Sequence, residues 1–423
     1  MAKTLVYKFG GASVKDADAV KNLADILRNR LRKNPIIVVS AMGKTTNALE
    51  EILLHKFEGK DYSRNITILE SFHLEICSKL FEEGHAVYAQ VKNLIRQLEQ
   101  ELTKELNREN YDCFYDQVIG FGELLSSRIV MEYLCEQGSP VVWQDAREII
   151  RTNSEFRFAK IDWELTKKNA QTYLVPLLDR FPVLTQGFIG ADPQNRMTTL
   201  GREGSDFSAA ILGVSLNAAS VTIWKDVPGV LNADPKIFPN ATLFEELDYK
   251  QAAEMTFYGA SVIHPKTIKP LANAGIPLFV RSFVEPEAAG TKIHGLAQHH
   301  SIPTYVLKRN QILVSFAVKD FTFIEEKHIH QVYEVLQRLK LKVNMLQTAA
   351  ISISIVIDSE LFKLEQLITA LKPFFEVRFN EDLELLTVLN VQEIDSELLE
   401  EYELYLEQQT RNTFQAVRKK RAE

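Results

Sequence analysis

Nine consecutive residues, Thr198-Thr199-Leu200-Gly201-Arg202-Glu203-Gly204-Ser205-Asp206, hold two glycines, an arginine, three hydroxyls and two acids. That mixture suits a loop that surrounds a small anion. Gly201 and Gly204 permit positive φ and let backbone N–H groups approach a ligand. Arg202 carries a planar fork that grips a carboxylate at two points. Ser205-Asp206 reads as an N-cap pair for a helix through Phe207-Ser208-Ala209-Ala210-Ile211-Leu212, whose dipole would point back at the loop. An ordinary loop before an ordinary helix has the same ingredients, so the choice rests on what surrounds it.

Four more stretches share the texture. Lys8-Phe9-Gly10-Gly11-Ala12-Ser13 ends a short apolar run. Paired glycines there expose N–H groups to an anion and Lys8 adds a point charge. The glycine spacing matches neither a Walker A loop nor a dinucleotide fingerprint. Ser40-Ala41-Met42-Gly43-Lys44-Thr45-Thr46-Asn47 follows a second run. In Gly120-Phe121-Gly122-Glu123, the acid could bind an ammonium group or cap a helix. Lys225-Asp226-Val227-Pro228-Gly229 leaves a strand end and could hold a nucleotide and its metal. Ligands of parallel α/β sheets bind at the carboxyl ends of strands, and each of these stretches follows an expected strand or opens a helix.

The elements that must position them are legible from periodicity. Leu5–Phe9 and residues 35–39 are short β-type runs, and residues 16–32 between them carry Val20, Leu23, Ala24, Leu27 and Leu31 on one helical face. Strand, helix, strand at this spacing implies a parallel sheet. Residues 62–138 read as almost wholly helical with a break near 107–110, and strands resume at 140–143, 182–185, 221–224 and 277–280. Helices are expected at 248–254 and 265–274. Gly290, Gly295 and His299-His300-Ser301 mark a boundary. Beyond it the order is βαββαβ with an extra strand, which is ferredoxin-like: strands at 312–318, 342–346, 351–357, 375–379 and 385–389, helices at 325–340 and 360–372, then a charged helical tail at about 396–420.

Composition narrows the class. The 423 residues carry a net charge of −7, which gives no chain-wide basic field for nucleic acid. No apolar run approaches the roughly 20 residues that span a bilayer. Cys77, Cys113 and Cys135 are few and scattered, as in a reducing, cytoplasmic setting without disulfides or a structural metal site.

Taken in order, Lys8-Phe9-Gly10-Gly11, Gly122-Glu123-Leu124, Thr185-Gln186-Gly187-Phe188-Ile189-Gly190, Thr198 to Asp206, Trp224 to Gly229 and Tyr258-Gly259-Ala260-Ser261-Val262-Ile263-His264-Pro265 resemble the aspartokinases over about residues 3–295. The resemblance implies an α/β amino-acid-kinase fold, a three-layer αβα sandwich around an eight-stranded, mainly parallel sheet, over residues 1–295. A linker at 296–307, a ferredoxin-like α+β domain of the ACT type at 308–392 and the helical tail at 393–423 follow. It also implies the reaction, ATP plus L-aspartate giving ADP plus 4-phospho-L-aspartate, with Mg²⁺. This is the first step toward lysine, threonine, methionine and diaminopimelate. By resemblance, Lys8 stabilises the transferring phosphoryl group, Gly10 and Gly11 cradle it, and Arg202 holds a substrate carboxylate. Glu123 and Thr46 bind the rest of the amino acid, beside Gly204 and Ser205, and Asp206 orders the constellation. Lys225, Asp226, Lys236, Leu231 and Ser261 lie on the nucleotide side. Another amino-acid kinase of the same fold, or a non-catalytic amino-acid sensor, are the rival readings.

The chain departs from the family pattern at several positions. Ala12 replaces a usual Ser or Thr, Glu203 a usual glycine, and Leu231 a common aromatic residue. Ser261 stands where many members carry a lysine that reaches ATP phosphates, and Lys225 where threonine is frequent. Lys225 is therefore expected to supply the charge missing at Ser261. In the ACT-like region the usual polar effector loop reads Val343-Asn344-Met345-Leu346-Gln347-Thr348-Ala349-Ala350. Weak or absent inhibition by lysine or threonine is expected there, with the domain serving to build a homo-oligomer.

Overall fold

The computed structural model describes residues 4–31, 34–201, 203–260, 262–298, 301–320, 322–391 and 397–421. The chain divides into two compact units. The first comprises residues 1–230, 243–253 and 262–299, and the second residues 231–242, 254–261 and 300–423. Two short segments that the sequence reading placed in the catalytic domain, 231–242 and 254–261, thus group with the C-terminal unit.

The strands of the first unit are β1 (Leu5–Phe9), β2 (Ile36–Val39), β3 (Val142–Gln144), β4 (Val183–Gln186), β5 (Ile189–Ala191), β6 (Met197–Thr199), β7 (Ser220–Lys225), β8 (Glu246–Leu247), β9 (Leu278–Ser282) and β10 (Thr291–Ile293). Eight of them form one sheet in the order β3-β4-β2-β1-β7-β9-β10-β8, while β5 and β6 pair separately. All neighbours in the large sheet run parallel except β9 and β10. The uninterrupted apolar runs are explained by burial on both faces: Ile36, Ile37, Val38 and Val39 have no solvent exposure.

On one face Tyr7, Phe9, Ile37 and Val39 join a core with Val20, Leu23 and Leu27 of the helix Ala17–Arg28. That helix starts where Asp16 accepts a hydrogen bond from Ala19 N at 2.8 Å. The same core takes in the helices Ser63–Leu80, Ala86–Leu102, Tyr111–Ile119 and Phe121–Glu136, with the break falling between 102 and 111 as the periodicity predicts. The helix Gly204–Ser215 lies against β1, β2 and β7.

From β1 the chain winds outward to β2, and β7 returns on the other side of β1. The order therefore reverses between β1 and β7, and a crevice opens there at the carboxyl ends. In register, Phe9 pairs with Val39 and with Trp224, and Val39 pairs with Gln186. The loops after β1, β2, β4 and β7 consequently emerge side by side.

In the second unit, β11 (Thr304–Val318), β12 (Val343–Thr348), β13 (Ser352–Asp358), β14 (Phe375–Leu389), β15 (Tyr402–Gln409) and β16 (Thr413–Lys420) form one sheet in the order β12-β13-β11-β14-β16-β15. The first four strands, with the helices Glu326–Arg338 and Leu361–Leu371, make the expected ferredoxin-like βαββαβ unit. Ile312, Phe316, Val332, Leu336, Leu367 and Phe375 lie in its core.

Three expectations are corrected. The strands predicted at 375–379 and 385–389 are one strand of 15 residues, β14. The strand predicted from 312 starts at Thr304, where Thr304–Lys308 already pair with Leu385–Leu389, so a linker cannot extend to residue 307. The tail is not helical beyond Glu397–Glu400 but folds as the antiparallel hairpin β15–β16. Charge made residues 402–420 read as a solvated helix. Instead Phe414, Ala416 and Val417 are buried, Gln415 donates to Thr387 Oγ1 at 3.2 Å, and the Arg418 guanidinium lies 3.7 Å from the centroid of the Tyr402 ring. A neighbouring strand with unpaired backbone groups decided the matter: β14 takes β16 as its partner from Glu384 to Leu389.

Candidate functional site

The site is organised by one carboxylate. Asp206 sits in the first turn of the helix Gly204–Ser215 and is 2% exposed. Lys8 Nζ, from β1, lies 2.5 Å from its Oδ1, and Lys225 Nζ, from the end of β7, lies 3.2 Å from its Oδ2. Burial alone would raise the carboxyl's pKa, but the two ammonium groups outweigh it and hold the group below the ordinary carboxylate range. Two cations on one anion leave a local excess of positive charge at the crevice.

Asp206 is therefore not a helix cap. The helix begins one residue before Ser205, and its N-cap is Glu203, which makes no capping hydrogen bond through its side chain to the helix. Glu203 takes the left-handed conformation, φ 53°, which glycine adopts without the strain that a side chain brings. An acid there is also favoured by the positive end of the helix. Gly201 is left-handed as expected, φ 76°, whereas Gly204 is helical. Gly204 is needed for space instead: a Cβ there would lie 2.7 Å from the Phe188 ring. Neither Gly10 nor Gly11 has positive φ. Gly11 accommodates the carbonyls of Ala41 and Gly43, which a Cβ would meet at 3.0 and 3.3 Å.

Beside this cluster lies a cleft of about 430 Å³ whose lining includes Thr46, Glu123, Arg157, Phe188, Glu203 and Ser205. Glu123 is 3% exposed on the helix Phe121–Glu136. Its Oε1 accepts from Ala41 N at 3.3 Å, and its Oε2 is buried with no hydrogen-bond partner among the described residues. Burial pushes its pKa up to about 8, opposed by the N–H groups of Ala41 and Glu123 and by the charge of Lys8. A half-satisfied buried carboxyl at the wall of a cleft calls for a donor from a ligand, and an ammonium group is the strongest candidate. Of the two readings of Glu123, ammonium partner or helix cap, the geometry favours the first.

Asp226 is exposed in the turn after β7. Leu231 and Lys236 belong to the second unit. Arg202 and Ser261 lie outside the described residues.

Sequence reading missed two residues here. Asp116, fully buried on the helix Tyr111–Ile119, accepts from Thr199 N at 2.8 Å, from Thr199 Oγ1 at 2.7 Å and from Arg157 N at 2.9 and 3.1 Å. Burial pushes it up to about 6 despite these donors. The available signal for Asp116 was an acid between Phe114-Tyr115 and Val118-Ile119 in a short helix. For Arg157 the local sequence held none.

Comparisons with known proteins bear on the chain as a whole. The model of the amino acid kinase family matches residues 3–282. Lysine-sensitive aspartokinase 3 of Escherichia coli is 32% identical over 366 residues, covering 85% of this chain and 79% of that protein. The chloroplastic aspartokinase 1 of Arabidopsis thaliana is 30% identical over 404 residues, covering 92% of this chain and 68% of that protein. Among solved structures, E. coli aspartokinase III in complex with aspartate and ADP superposes with a TM-score of 0.84 at 27% identity, covering 98% of this chain and 96% of that one. Shared sequence across nearly the whole chain, and a crevice built from one buried acid and two lysines, lead to one conclusion: the chain belongs to the amino acid kinase family and, within it, to the aspartokinases.

Proposed function

We propose that the protein transfers the γ-phosphoryl group of ATP to the side-chain carboxylate of L-aspartate, and that the pair of lysines on Asp206 is what drives the transfer. The nucleophile is already ionised at neutral pH, so no strong base is required. Catalysis then consists of positioning and charge neutralisation. Lys8 stabilises the transferring group from β1, and Lys225 adds a second cation from β7. Asp206 fixes both ammonium groups through its two oxygens, so neither must reorganise when charge moves. Glu123 receives the substrate ammonium, with Thr46 and Ser205 on the same cleft wall. Gly10 and Gly11 present backbone N–H groups to phosphate.

Among the described residues no three metal-ligating side chains cluster. This suits Mg²⁺, which keeps several waters and binds through nucleotide phosphates with one or two carboxylates. Asp226, exposed and next to Lys225 in the chain, would be the carboxylate to hold it, and the ion would neutralise phosphate charge. Among the described residues no helix is long and apolar enough to cross a membrane. Cys77, Cys113 and Cys135 are unpaired, which supports the cytoplasm as the place of action.

The ferredoxin-like unit supports insensitivity to amino-acid effectors. The E. coli relative is described as lysine-sensitive. Here Asn344 is engaged by its own sheet: its Oδ1 accepts from Lys308 Nζ at 2.9 Å, and its Nδ2 donates to Gln311 Oε1 at 2.8 Å and to Asp358 Oδ1 at 2.9 Å. A polar group already satisfied this way offers a free amino acid little in exchange for its water.

Four outcomes are expected. In a coupled assay of ADP release, aspartate supports turnover and glutamate and N-acetylglutamate do not; turnover with either of those alone would replace the substrate assignment. Lys225→Thr lowers kcat/KM by roughly a hundredfold, the usual loss for one electrostatic contact to a transition state; unchanged kcat and ATP KM would remove Lys225 from the mechanism. Ionised Glu123 is the form that binds ammonium, and its raised pKa means the charge appears only as pH climbs toward about 8. The KM for aspartate in the wild type should therefore fall between about pH 6 and about pH 8, while Glu123→Gln shows a high, flat KM. The same raised pKa favours the fold at low pH, and by linkage that contribution declines as pH rises from about 4.5 and is gone above about 8. Finally, titration with lysine and with threonine leaves activity unchanged up to millimolar concentration; sub-millimolar inhibition by either would overturn the effector reading.

A further inference from the structure

Arg157 has an unusual backbone for its residue type. Its φ is 67°, a left-handed conformation in which a side chain is strained and glycine is not. The conformation is held by a buried anchor. Asp116 accepts the Arg157 N–H with both oxygens, at 2.9 and 3.1 Å, and uses the same oxygens for Thr199 at the end of β6. Ala159 N adds a bond to Thr199 O at 3.0 Å. The segment is thereby fixed against the loop that follows Thr199. A Cβ on Gly201 would stand 3.1 Å from Arg157 O and 2.8 Å from the Phe158 ring, so the two left-handed residues pack back to back.

The side chain is arranged as a receptor. The Arg157 guanidinium lies 4.4 Å from the centroid of the Tyr115 ring, a platform that leaves its N–H edge free for a planar acceptor. Tyr115 is itself held by a 2.6 Å hydrogen bond from its hydroxyl to Glu50. The one ion pair of Arg157 among the described residues is to Asp112 at 3.4 Å, with side chains 38% and 64% exposed, a pairing that water and salt weaken easily. Both Arg157 and Tyr115 line the cleft that also contains Thr46, Glu123 and Ser205. A cation on an aromatic platform, in a strained backbone held by a buried acid, at the rim of a cleft for an amino acid, is suited to a carboxylate.

We propose that Arg157 is a specificity-determining residue whose guanidinium leaves Asp112 to bind a carboxylate of the amino-acid substrate, and that Asp116 is the positioning residue that holds it there. The proposal rests on the reading of this cleft as the aspartate site. Arg157→Gly tests it cleanly, because glycine relaxes the left-handed backbone while removing the cation. The expected result is a KM for aspartate raised about tenfold, with kcat and the ATP KM within about twofold and a melting temperature equal to or above the wild type. Arg157→Lys should recover part of the affinity, since it restores the charge without the fork. An Arg157→Gly enzyme with wild-type KM for aspartate would overturn the proposal while leaving the activity intact. A wild type that fails to phosphorylate aspartate would overturn both. If the glycine variant misfolds, Arg157→Gln carries the same expected rise in KM, and its absence is equally decisive.

Discussion

The active crevice depends on a buried carboxylate shared by two ammonium groups. Removing Asp206 from water is costly, and Lys8 and Lys225 compensate only because each approaches a different oxygen. That requirement constrains the surroundings. β1 and β7 must be adjacent and in register, so that residues 8 and 225 reach the same point. The helix carrying Asp206 must start tightly enough to bring its first turn onto the sheet, which Glu203 achieves in a left-handed conformation and Gly204 by lacking a side chain. Remove one lysine and the remaining pair still balances, but the excess positive charge of the cluster is lost.

Charge is apportioned on the two sides of this cluster in opposite ways. At Asp206 burial is overcome by cations and the acid stays ionised. At Glu123 burial prevails and the acid is poised near neutrality until a donor arrives. The two carboxyls thus differ in protonation because one has its counter-ions built in and the other has only one backbone donor to an oxygen and a more distant lysine. In the mechanism proposed above, the first carboxyl holds the two lysines in place and the second is the partner of the substrate ammonium.

Much of this was legible before the fold was known, and what was not has a physical reason. Lys8, Thr46, Glu123, Ser205, Asp206 and Lys225 sit at strand ends or helix starts, where periodicity marks the element and the polar residue stands out against it. Only the cap reading of Asp206 fails, because local sequence suggests local bonds: a Ser-Asp pair before an apolar helix looks like a cap, whereas its ion-pair partners are Lys8 and Lys225 on other elements. Asp116 and Arg157 are 41 residues apart and Asp116 and Thr199 are 83 apart, so nothing in a short window connects them. The C-terminal hairpin was hidden by charge. Glu403 and Glu407 flank Leu404, Tyr405 and Leu406, and an irregularity between Leu404 and Leu406 sets both Tyr405 and Leu406 against the core, so no clean alternation marks the strand.

The second unit is assembled from pieces that are widely separated along the chain, and this bears on how it is made. Phe238 stacks on Tyr305 with ring centroids 5.1 Å apart and packs with Leu386, Val388, Phe414 and Ala416. During synthesis residues 231–242 leave the ribosome long before β16 exists. Because synthesis proceeds at only about 5–20 residues per second, Phe238 spends several seconds as an exposed aromatic without its partners. Non-local closure of this kind is slow even for a complete chain. The sheet that β14 and β16 complete is therefore a late event in the life of each molecule. Until it closes, the apolar surface that Phe238 and Tyr305 share stays uncovered, and transiently open surface of that kind favours aggregation.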